Sequence, residues 1–169
     1  MPASNPITEV QPGRLADRVS AASYGTVLII ASLLVVEAGD VASGWGWELV
    51  TGIGVATWVA HIYAEVLGNH IRNVDAHQPH EIRKAMGDGL PILLAAVAPA
   101  LALLLGRLGA VAPRQALWIA VILALLQLVA LGAFVGLIVP DRQSTWWRYA
   151  AMTAVFGVAV VLLLVALGH

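Results

Sequence analysis

The sequence contains no cysteine, which excludes disulfide staples, thiolate metal sites and thiol redox chemistry. It is also poor in charge. Asp, Glu, Lys and Arg make up 11% of its 169 residues, against about 25% in soluble domains. A soluble domain of this size exposes too much surface for so few charges to cover, so an ordinary cytosolic enzyme is excluded. Nine Lys+Arg stand against ten Asp+Glu, so the basic patch of a nucleic-acid binder is missing too. There is no glycine-rich phosphate loop, no nucleophile-elbow serine and no paired-aspartate prenyl-diphosphate motif. The expectation is a non-enzyme with no cofactor.

What the chain has is apolar surface: 60% hydrophobic residues and a mean hydropathy of +0.85. The pattern predicts an all-α integral membrane helical bundle. A helix needs about 20 mostly apolar residues to cross the hydrocarbon, and five stretches fit: 19–36, 49–67, 90–108, 116–139 and 146–167. Residues 1–17, with Pro2, Pro6 and Pro12, read as a disordered lead-in, and 18–169 as one transmembrane domain. The lead-in and first apolar run show no convincing cleavage site, so they make a poor signal peptide.

Orientation follows from the short connections. Alternating them over five spans puts Arg14, Arg18, Arg72, Arg83, Lys84, Arg142 and Arg148 on one side, and only Arg107 and Arg114 on the other. The expected topology is a cytoplasmic N-terminus and an external C-terminus, multi-pass in a bacterial cytoplasmic membrane. Within the long connection after the second span, Pro79 suits a first helical turn. A short cytoplasmic surface helix is expected over His80–Gly87, broken by Gly87, Asp88, Gly89 and Pro91 before the third span. Interior Pro99 predicts a kink.

The second span carries a polar stripe. Trp47, Thr51, Gly54, Trp58, His61, Glu65, Asn69 and Arg72 recur every three or four residues and so share one helical face. Ionisable groups in a membrane face protein or water, because each costs about 2.5–3.5 kcal/mol at a helix centre. Thr51, Trp58, His61, Glu65 and Asn69 are the candidate pathway residues. His61 and Glu65 are one turn apart and can share a proton; a histidine that changes charge near neutrality can gate or carry one. The alternative is that Glu65 reaches water at the cytoplasmic end and His61 bonds a neighbouring helix.

Ser23 and Thr26 of the first span could supply the opposite wall. Glu37, Asp40 and Glu48 would concentrate cations at an outer mouth, or form a solvated acidic loop. Asp75, His77, His80 and Glu81 carry metal-ligand chemistry, but His77 and His80 straddle Pro79 and share no clean face. They are weak candidates, and no metal site is assigned. Gln127 reads as an interhelical hydrogen-bonding residue. Gly132 and Gly136, with Ala120 and Ala124, read as close helix packing within or between chains.

The segment from Trp58 through His61, Tyr63 and Glu65 to Gly68 resembles one in an uncharacterised family of small multi-span bacterial membrane proteins. So does the run from Pro91 to Ala100. The resemblance implies a membrane protein and no particular activity. The reading is a small homo-oligomeric transport protein, a cation or proton channel or carrier with the stripe lining or gating its path. Its partners are the lipid bilayer, cations or protons, and further copies of itself. A non-transporting scaffold or accessory subunit is the alternative, and a metal-binding membrane enzyme or metal transporter the third.

Overall fold

A computed structural model describes residues 12–72, 79–138 and 146–167. Among the described residues every regular element is a helix: α1 (Pro12–Leu33), α2 (Ala38–Ser43), α3 (Trp45–Arg72), α4 (Pro79–Arg107), α5 (Pro113–Ile138) and α6 (Trp146–Leu167). Three helices are long and apolar enough to cross a membrane, over Trp45–Gly68, Ile82–Arg107 and Pro113–Ile138, and Trp147–Leu162 is a shorter apolar stretch.

α1 begins inside the expected lead-in. Proline fits the first helical position because that N–H has no intrahelical partner in any case, and Arg18 then ties the early turns to α4. Residues 1–11 lie outside the described residues. α2 is a short helix within the acidic connection. The Asp40 carboxylate accepts the Glu37 N–H at 2.8 Å, and Gly44, at φ +95°, closes the turn; a left-handed residue there favours glycine.

The expected break between a surface helix and the third span is absent. α4 runs unbroken from Pro79 through Gly87, Asp88, Gly89 and Pro91 to Arg107. Local propensity is overridden by packing: Ala85 and Ile92, on either side of the supposed break, are fully buried. The Cβ that Gly25 of α1 lacks would lie 3.1 Å from the Ile92 backbone, so α1 and α4 meet closely there. The expected surface helix is the N-terminal extension of α4.

α4 ends in a Schellman turn. Ala110 N donates to Leu105 O at 3.1 Å and Gly109 N to Gly106 O at 3.2 Å, with Gly109 at φ +75°. Around α4 sit α3, α1 and α5; α6 packs on α5 and touches α1, so α3 and α6 form opposite edges. The core is built from Ile29, Ile30 and Leu33 of α1, Leu103 of α4, and Ala120 and Ala124 of α5. Leu94, Val97 and Leu101 of α4, Ile122 and Leu126 of α5, and Val155 and Phe156 of α6 are exposed. That is apolar cladding of the kind a bilayer covers.

Candidate functional site

The polar face of α3 points inward, onto α4. Antiparallel packing sets the register: a Cβ on Gly54 would lie 2.8 Å from the Ala96 Cβ, and one on Gly89 would lie 2.9 Å from His61 Cδ2 and 3.1 Å from Trp58 Cδ1. Both glycines therefore act as grooves that let the facing side chains in. The Trp58 indole Nε1 donates to the Met86 carbonyl at 3.2 Å, next to the Gly87 carbonyl that the missing Pro91 N–H leaves unpaired within the helix. Thr51 Oγ1 donates to Trp47 O of its own helix at 2.8 Å, so its hydroxyl is already satisfied.

His61 and Glu65 come together at the end of this contact. His61 Nε2 lies 3.7 Å from Glu65 Oε2, close enough for charge interaction but beyond a direct hydrogen bond. Their side chains keep 31% and 23% of their surface exposed. Against α4, His61 sits level with Gly89. Asn69 continues α3, but its side chain lies outside the described residues, as do those of His80 and Glu81. His77 lies wholly outside them. Among the described residues, no three His, Asp or Glu side chains converge on a metal-sized site.

The other expected residues are placed differently. Thr26 is buried and donates to Ala22 O at 2.8 Å, so it offers nothing to a path. Asp40 caps α2, and Glu48 lies 3.5 Å from Arg107 Nη1. These acids hold the end of the bundle opposite to His61. Gly132 packs directly on Thr153 of α6, which settles that close approach as one within the chain. Gln127 Oε1 is buried with no partner among the described residues.

One pair went unnoticed in the sequence. Arg18 Nε donates to Asp88 Oδ1 at 3.1 Å, and Asp88 keeps only 8% of its side chain exposed. Asp88 precedes Gly89, so consecutive residues of α4 take Arg18 of α1 on one side and His61 of α3 on the other. The signal available was a lone acid where an apolar run begins; reading it as a helix breaker hid the need for a cation.

No family model matches the chain, and neither a curated protein nor a solved structure matches it.

Proposed function

We propose that this is a five-span protein of a bacterial cytoplasmic membrane, N-terminus inside and C-terminus outside, that assembles with further copies of itself and passes cations or protons. α1 and α6 would be the spans that join the three long apolar helices. The observation that carries the reading is the partly exposed His61–Glu65 pair on a membrane-length helix whose outward face is apolar apart from Tyr63. Gly52, Val55, Ala56, Val59, Ala60, Tyr63 and Ala64 form that face. Retaining two ionisable groups there is costly unless water or an ion reaches them. Beyond the pair, Trp58 and Gly54 close α3 against α4, so a route along that face does not continue through one chain. It would run between copies, with His61 and Glu65 at its inner mouth.

Flux of protons and potassium into liposomes of the purified protein tests this. Glu65→Gln and His61→Ala should each cut flux about threefold, and the double variant little further, the non-additivity of contacting residues. The second reading, a scaffold, is favoured by the Trp58–Met86 hydrogen bond and the close Gly54–Ala96 contact. It prevails if wild-type flux is robust and the double variant leaves it unchanged. The topology has its own check, made clean by the absence of cysteine: Ser43→Cys and Gln78→Cys should be labelled from opposite sides of the membrane. Labelling from one side would overturn the orientation and the inner-mouth placement together.

A further inference from the structure

At the end of the bundle away from His61, α3 and α4 part to leave a cleft of about 280 Å³. Trp47, Thr51 and Val55 line it from α3, and Val97, Ala100, Leu101 and Leu104 from α4. Val55, Val97 and Leu101 are each about half exposed, so the cleft opens on the apolar outside of the bundle rather than into its core. The Thr51 hydroxyl is turned to its own helix, which leaves the buried Trp47 Nε1 donor as the polar atom of the lining without a partner among the described residues. An apolar space of this kind stays dry and takes apolar guests. A lone indole donor gives a cation no ligand and a water chain no continuous path here.

The end of the cleft is different. Arg107 follows Leu104 by one turn on the same face of α4, and Glu48 follows Trp47 on α3. The Arg107 guanidinium lies over Gly44, the residue whose missing Cβ makes room for it, and keeps 41% of its side chain exposed. Trp45, exposed at 54%, is an aromatic ring of the kind found at headgroup depth. An alkyl-lined slot ending in a half-exposed guanidinium matches an amphiphile with an anionic head. Glu48, at 3.5 Å and more exposed than Arg107, can swing into water when a phosphate takes its place.

We propose that the α3–α4 cleft holds one acyl chain of an anionic phospholipid, with its phosphate against Arg107. The inference rests on α3 and α4 crossing the bilayer and is independent of whether the protein transports anything. Fluorescence quenching tests it: full-length protein in phosphatidylcholine vesicles is titrated with phosphatidylglycerol or phosphatidylcholine carrying brominated chains, and the Trp47 component is taken as the difference from Trp47→Phe. Brominated phosphatidylglycerol should quench that component at about fivefold lower mole fraction, the effect of one basic residue at an anionic headgroup. Arg107→Gln should abolish the preference and Arg107→Lys keep it. Ala100→Phe should fill the slot and protect Trp47 from both lipids. Equal quenching by the two lipids in the wild type overturns the anionic head, and quenching unaltered by Ala100→Phe overturns the acyl-chain site. Absence of quenching at every tryptophan, the exposed Trp118 included, would instead refute the membrane placement of the helices.

Discussion

Arg18→Ala should destabilise the protein by about 2 kcal/mol, and Asp88→Asn by about half of that. The asymmetry comes from where the two charges sit. Asp88 keeps 8% of its side chain exposed and Arg18 52%. Removing the arginine strands a carboxylate with little access to water, whereas removing the aspartate charge returns to water a guanidinium that is already half there. Breaking a fully buried pair typically costs about 3–5 kcal/mol; the exposure of Arg18 screens this one, hence the lower figure. The asparagine oxygen can still accept from Nε, which trims its loss further. Combining the substitutions should cost no more than Arg18→Ala alone, since the stranded charge is gone. Denaturant titration in detergent, followed by helical circular dichroism, reads all three. Equal losses in the two single variants would mean that Arg18 and Asp88 are held by water and not by each other.

That pair also marks where the sequence stops being legible. Hydropathy and periodicity place α5 and α6 almost to the residue, because their apolar runs are uninterrupted and flanked by Pro113 and Trp146. That the α3 stripe faces protein or water rather than lipid is legible as well, because two ionisable groups at helical spacing exclude the lipid side. α4 is not, because Gly87, Gly89 and Pro91 carry the same local signal whether a helix ends there or another helix packs there. Gly89 is present because Trp58 and His61 need the space, a demand made 28 to 31 residues away in sequence. Arg18 and Asp88 are 70 residues apart, and no local pattern links them. The acids Glu37, Asp40 and Glu48 look like one cluster in sequence, yet Asp40 caps a helix and Glu48 meets Arg107. Composition alone cannot distinguish capping and pairing from a cation-collecting mouth.

The close contact of α3 and α4 leads to the other large effect. Gly54→Val should cost about 3 kcal/mol, at the upper end of what overpacking a filled contact costs. A Cβ at position 54 would stand 2.8 Å from the Ala96 Cβ. Neither atom can rotate away, so the helices themselves must separate. Gly54→Ala meets the same obstacle with less bulk and gains back up to about 1 kcal/mol of helix propensity, so its loss should be smaller. Ala96→Gly vacates the opposing methyl. The Gly54→Ala, Ala96→Gly exchange therefore keeps one methyl between the helices, moved from one wall to the other, with the propensity terms cancelling. It should unfold within about 1 kcal/mol of the wild type, while each single variant is weaker. The exchange should also restore the Trp58 environment, read as the emission maximum of its indole, because Trp58 lies one turn further along the same contact. If Gly54→Ala proves neutral, α3 and α4 stand further apart than 2.8 Å implies, and Trp58 and His61 must then be positioned by something other than the close seam at Gly54 and Gly89.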